Sequence, residues 1–330
     1  LWPEGAAILA TKGYAAPEVK DVYDRAYALC LKLDAKSEMV SSLFWLTSYY
    51  AVTGQLNEAL VVAQKMLAIS EHEKVDDLTK IQAHLLTGLP LFFMGCNEQA
   101  LTHFAQACAL YDPERHQPHV YNLGQDPGIS AMVWQGHTLL HLGRMDSAKR
   151  CMQQAIDWAD KLDHPYTSAF TKLNAGCTPE LYFGRFDEGI NYAKAIIAIA
   201  QENDFALMYA YGILFLGQML VLANIDGADN ASKMRVKEGF DLMYQGMDIE
   251  ARTGAKLAIT SHWVILAAAY LQTGQTAEAW QAVRKAEYEM NENNERYFEA
   301  ELLRVKANLF QLNGNSSQAE KCRRQALKVA

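Results

Sequence analysis

Residues 88–113 read GLPLFFMGCNEQALTHFAQACALYDP. Gly95 stands in a short polar turn, five residues before Ala100, and Phe104 and Ala107 follow at helical spacing. A glycine there can take the left-handed conformation that ends one helix. A small residue at Ala100 lets the next helix approach the first closely. With Gly88 in the first helix and Asp112-Pro113 closing the second, the stretch predicts a hairpin of two antiparallel helices.

The signature recurs about every forty residues: Gly54 leads to Ala59, Gly143 to Ala148, Gly184 to Gly189, Gly274 to Ala279 and Gly314 to Ala319. Six copies make it a repeat, and repeats of this length mean stacked units that bury their apolar faces on one another. The layout is similar to the tetratricopeptide repeat, with helices longer than usual at roughly 14–20 residues. The expected fold is therefore all-α, a tetratricopeptide-like right-handed superhelical solenoid of about seven hairpins. Their expected bounds are about 37–70, 77–110, 127–162, 166–202, 206–252, 256–290 and 294–330, behind an N-terminal helix 17–33, in one array over 1–330. A copy hidden between Gly217 and Gly246 carries a polar segment, Ile225 to Met234, that reads as an insertion in its turn. Pro17, Pro127 and Pro165 suit the first position of a helix, and Asp126 suits an N-cap.

Composition narrows the function classes. A formal charge of −8 opposes direct binding of nucleic acid, which rests on clustered Lys and Arg. The six cysteines, Cys30, Cys96, Cys108, Cys151, Cys177 and Cys322, form no C-x-x-C pair and read as reduced. No apolar run approaches the roughly 18 residues of a membrane span, and no signal peptide is legible, so a cytoplasmic protein without a membrane partner is expected. The opening Leu1 suggests a piece excised from a longer polypeptide.

Catalytic motifs are absent: no phosphate loop, no H-E-x-x-H, no G-x-S-x-G and no dinucleotide fingerprint. Glu71-His72-Glu73-Lys74 lacks the second histidine of a metalloprotease. His137 and His141 share one helix face and are the candidate metal pair, with His116 and His119 in the preceding segment. Asp76-Asp77 and Glu299 with Glu301 read as solvated helix ends. Phe44, Trp45, Tyr49 and Tyr50 read as interface packing or as a binding platform. No cofactor is implied.

In this architecture the first helices of successive hairpins line a concave groove. Counting back from each turn glycine places Phe44, Ser48, Gln82, Phe92, Ser130, His137 and His141 there. The same count adds Asn174, Tyr182, Tyr211, Gln218, Arg304 and Asn308. The set is polar and aromatic with few cations, which suits a peptide of mixed side chains or a partner domain.

Several segments that the repeat does not require resemble a known family. They are Ala10-Thr11-Lys12-Gly13-Tyr14-Ala15-Ala16-Pro17-Glu18-Val19, Leu110-Tyr111-Asp112-Pro113 with His116, and Gly124-Gln125-Asp126-Pro127-Gly128. His164-Pro165 and Glu295-Arg296-Tyr297-Phe298-Glu299-Ala300-Glu301-Leu302, followed by Arg304 and Lys306, extend the likeness over nearly the whole chain. They are similar to the C-terminal tetratricopeptide-like region of bacterial signalling proteins that join a class III adenylate/guanylate cyclase to a STAND/AAA-type ATPase, the "predictive ATPase" family. The resemblance implies a non-catalytic protein-interaction and sensor module that regulates the attached ATPase and cyclase. Its partner would be a protein or peptide, or the upstream ATPase domain of the same chain. The alternative is a small-molecule-binding regulatory domain of a STAND-type regulator.

Overall fold

A computed structural model describes residues 15–72, 75–120, 124–227 and 229–329, and among them all regular structure is helical. Residues 10–14 of the first resembling segment, Glu73-Lys74, and the side chains of His72 and His119 lie outside the described residues. The chain divides into two compact units, one reaching Thr171 and including Glu250–Leu257, the other Lys172–Ile249 with 258 onward.

The first unit holds α1 (Pro17–Leu33), α2 (Lys36–Val52), α3 (Leu56–His72), α4 (Asp77–Phe93) and α5 (Asn97–Leu110). The short α6 (Pro113–His116), then α7 (Pro127–His141), α8 (Met145–Leu162) and α9 (Pro165–Thr171), complete it. Each hairpin packs on itself and on the next, and the first helices α2, α4, α7 and α9 touch in succession. The second unit begins with a π-helical stretch, Lys172–Cys177, and α10 (Thr178–Phe183). It continues through α11 (Phe186–Glu202), α12 (Ala206–Asn224) and α13 (Asn230–Thr253), whose last turn belongs to the first unit. Helices α14 (Ile259–Gln272), α15 (Thr276–Asn293), α16 (Glu299–Leu312) and α17 (Ser316–Val329) follow, with α12, α14 and α16 again in sequential contact.

The turns work as the sequence implies. Gly95 sits at φ 80°, and the N–H of Cys96 donates to the Leu91 carbonyl at 2.8 Å, closing the end of α4. The same bond joins Gln55 to Tyr50, Arg144 to Leu139, Arg185 to Glu180, Gln275 to Tyr270 and Asn315 to Phe310. The small residues five positions on, such as Ala100, Ala148 and Ala279, have no exposed surface.

Two expectations need correction in the second unit. The segment Ile225 to Met234 is not a turn insertion: α13 starts at Asn230, where Asp229 Oδ1 accepts the Ser232 N–H at 2.9 Å. The extra length went into a helix of 24 residues. An apolar run of span length does exist, because α12 is 19 residues long without a charged side chain. More than half of it is buried. There its backbone meets that of α13: a Cβ on Gly217 would lie 2.3 Å from the Gly239 carbonyl oxygen, and one on Gly246 would lie 2.7 Å from that of Ala210. Backbone cannot rotate away as a side chain can. Gly217→Ala is therefore expected to destabilise the protein by about 1–3 kcal/mol, and an unchanged urea midpoint would contradict this packing.

Pro179 gives a physical reason for the π stretch just before it. Proline donates no hydrogen bond and its ring crowds the preceding turn, so the helix widens there. Thr178 Oγ1 donates to the Leu173 carbonyl at 3.0 Å across the widened turn.

Candidate functional site

In the first unit, three of the groove residues converge. The Phe92 ring lies 5.2 Å from His141, nearly edge-on, and 6.1 Å from His137, centroid to centroid. Helix α7 brings Trp134 into the same cluster, because it shares a face with residues three and seven positions later. Its ring is 5.6 Å from Phe92, 5.4 Å from Phe93, 5.5 Å from His137 and 6.0 Å from Phe170 of α9. Phe92 and His137 are buried, while Trp134 and His141 are half-buried and present surface. Burial pushes the His141 pKa down to about 4, so at neutral pH it is an uncharged imidazole with one donor and one acceptor nitrogen. The surface of the cluster is made by Trp134 and His141, backed by buried Phe92 and His137.

As a metal site the pair has no support. Among the described residues no three His, Cys, Asp or Glu side chains come together in a metal-holding group. His116 is committed elsewhere, its Nδ1 accepting the Asp112 N–H at 2.9 Å. Ser130 also leaves the groove list: buried at the start of α7, its Oγ donates to the Asp126 carbonyl at 2.6 Å and accepts from Gln125 Nε2 at 2.7 Å. Ser48 Oγ is spent on the Phe44 carbonyl at 3.0 Å, and half-buried Phe44 meets Trp45 edge-on at 4.9 Å within a core cluster. Gln82 is half-buried on α4.

The segments that carry the family resemblance turn out to hold helix starts. The Tyr111 hydroxyl donates to Asp126 Oδ2 at 2.6 Å, and Asp126 Oδ1 caps α7 by accepting the Ile129 N–H at 2.8 Å. A Cβ on Gly128 would lie 2.1 Å from the Tyr111 ring, so only glycine admits the ring there. The Asp126 N–H donates to Thr167 Oγ1 at 3.1 Å, and that hydroxyl pairs with His164 Nδ1 at 2.9 Å. Burial raises the pKa of both Asp126 and Tyr111. In the second unit, buried Glu295 accepts the N–H of Ala258 at 2.5 Å and of Thr260 at 2.9 Å, which caps α14. These contacts fix the starts of α7 and α14.

In the second unit the candidates form two groups. Tyr182 packs 6.4 Å from Phe298, and burial, with the Glu301 charge second, raises its pKa although 46% of its surface is open. Glu301 also grips Arg304 in a two-pronged ion pair at 2.6 and 2.5 Å, which neutralises the one groove arginine. Arg304 and Asn308, with Ala268, Leu271, Gln272, Gln311 and Leu312, surround a hollow of about 300 Å³. Separately, half-buried Tyr211 lies edge-on to buried His262 at 5.7 Å. Gln218 is 5% exposed, and its Oε1 has no hydrogen-bond partner among the described residues. Asn174 lies half-buried in the π stretch. Sequence reasoning missed Trp134 and His262, named Phe298 only within a resembling segment, and read Glu301 as a solvated helix end, whereas it pairs with Arg304; Trp134 was readable as one turn before His137.

No protein-family model matches the chain, and no curated protein matches it in sequence. Solved structures do match. A Rap protein complexed with Competence and Sporulation Factor aligns at 15% identity and a TM-score of 0.63, over 90% of this chain and 78% of that one. The Rap conjugation gene regulator of plasmid pLS20, in complex with the Phr* peptide, aligns at 15% identity and 0.58, over 89% and 75%. Aspartyl phosphate phosphatase F from Bacillus subtilis aligns at 15% identity and 0.56, over 92% and 74%. At these identities the likeness establishes the helical-repeat fold.

Proposed function

We propose that the chain is a non-catalytic module that binds a peptide or an extended segment of a partner protein. The observation that carries this reading is the aromatic cluster in which half-buried Trp134 and His141 present surface over buried Phe92 and His137. Aromatic anchors of this kind dominate binding energies in peptide and protein interfaces. Two of the matched structures contain a bound peptide or factor, which agrees in kind with this chemistry. The setting we infer is the cytoplasmic one that the sequence resemblance implies, where occupancy of the module regulates an attached ATPase and nucleotide cyclase. The hollow beside Arg304 and Asn308 favours a second reading, a small-molecule regulatory site, since its volume is at the lower end of ligand pockets.

The test is selection from a displayed library of linear peptides, followed by affinity measurement with Trp134→Ala and His141→Ala proteins whose helix content is intact. Enriched peptides are expected to bind at least about tenfold more weakly to each variant, the loss of about 1.4 kcal/mol or more that an anchor provides. Peptides that bind both variants as well as wild type would remove the cluster from the site.

A further inference from the structure

Between α4 and α5, away from the aromatic cluster, two histidines face each other. His84 Nδ1 and His103 Nδ1 are 3.1 Å apart, with ring centroids 5.4 Å apart and planes inclined by 36°. Both side chains are half-buried, and neither belongs to the groove set or to the helix caps. We propose that this pair is an acid-released clasp: adding a proton to each ring breaks the hydrogen bond between them and loosens the hairpin of α4 and α5.

The geometry carries the argument. Two ring nitrogens meeting head-on at this distance share one proton, so one ring donates its Nδ1–H and the other accepts through its Nδ1 lone pair. A first added proton goes to the outer Nε2 of the donor ring and leaves the bond in place. A second has to take the accepting lone pair, which removes the bond and sets two like charges against each other across the same gap. Helix α4 carries both His84 and Phe92, and α5 packs on α7, so the clasp sits in the layer that supports the aromatic cluster.

The surroundings set the sign. Burial lowers the pKa of both rings below the ordinary 6.5, His103 adds to the lowering at His84, and the Glu71 carboxylate on the last turn of α3 opposes it. The other ions of α3, Glu58 and Lys65, lie further back along that helix. On their own helices the nearest charged groups are Lys80, one turn before His84, and Glu98, five residues before His103. The turns of α2 and α7 level with His84 in the repeat register, 40–47 and 129–136, carry no ionisable side chain. The unfolded chain therefore takes up more protons than the folded hairpin once pH drops below 6.5. The contribution of the clasp is fully present above that pH and is lost as pH falls through the folded pKa values.

The experiment is amide hydrogen exchange of the whole chain at pH 7.5 and pH 5.5, corrected for the intrinsic effect of pH on exchange. One unit below 6.5 a free imidazole favours its charged form by about tenfold, so opening of α4 and α5 is expected to become several-fold more frequent, up to about tenfold. His84→Gln and His103→Gln each replace a ring by an amide that cannot titrate, and each is expected to remove most of that difference. NMR titration of the histidine rings supplies a reading that needs no variant of the pair: His84 and His103 are expected to titrate in two separated steps below pH 6.5, and Glu71→Gln to move both lower. Protection of α4 and α5 that does not change with pH, a change that survives undiminished in both glutamine variants, or two rings titrating independently at about 6.5 would overturn the clasp.

Discussion

Phe104→Ala is expected to lower stability by about 3–5 kcal/mol. The ring has no exposed surface and fills the space that Gly88 leaves on the opposing helix, where a Cβ would lie 2.6 Å from the ring. Truncation therefore removes the buried atoms and leaves a void that Gly88 cannot fill. Thermal melting followed by circular dichroism reads the effect, and a midpoint equal to wild type would show that the hairpin of α4 and α5 does not depend on this contact.

A loss of similar size is expected from Glu295→Ala. Its carboxylate holds two N–H groups, and one belongs to Ala258, a residue with a Cβ held at φ 73°. Without it those donors lose their acceptor inside the protein, at about 1–3 kcal/mol each. Wild type should also show a pH dependence of definite sign. Burial outweighs the hydrogen bonds and pushes the folded pKa of Glu295 up to about 7, above its ordinary 4.5. Between those values the folded protein keeps a proton that the unfolded chain has lost. The contribution is therefore fully present below pH 4.5 and disappears as pH climbs through 7. At about 1.4 kcal/mol per pH unit, the span amounts to about 3 kcal/mol. Urea midpoints at pH 5 and pH 7.5 measure it, and Glu295→Gln, which cannot titrate, should flatten the difference. Equal slopes in both proteins would contradict the assignment.

The helical-repeat fold was readable because its signal is a backbone requirement. A glycine at positive φ and a small residue five positions later are hard to replace, so the pattern survives in the sequence. The turns between hairpins were not readable in the same way. Asp34, Asp163, Asp204 and Asn294 all take left-handed conformations there, at φ 50–56°. Asp and Asn tolerate that region, yet they are also ordinary surface residues, and nothing distinguishes these four from the rest by type alone. Among candidate site residues, counting along a regular helix brought Phe92, His137 and His141 together. The same counting cannot see that the Ser48 and Ser130 hydroxyls donate to the carbonyls of Phe44 and Asp126. Trp134 was passed over although helical geometry puts it on the face of His137.

The π-helical stretch Lys172–Cys177 shifts the phase of the residues that follow it. A wide turn accommodates one residue more than an α-turn, and each residue of an α-helix advances about 100° around the axis. Pattern matching back from Gly184 thus loses phase at Cys177, and Asn174 is the candidate whose assignment suffers. The wide turn takes up that residue locally, so side chains after Cys177 stand about one residue's rotation away from where an uninterrupted α-helix would put them. Alignments of this region should accordingly be allowed a one-residue gap there, even though both sides are helix.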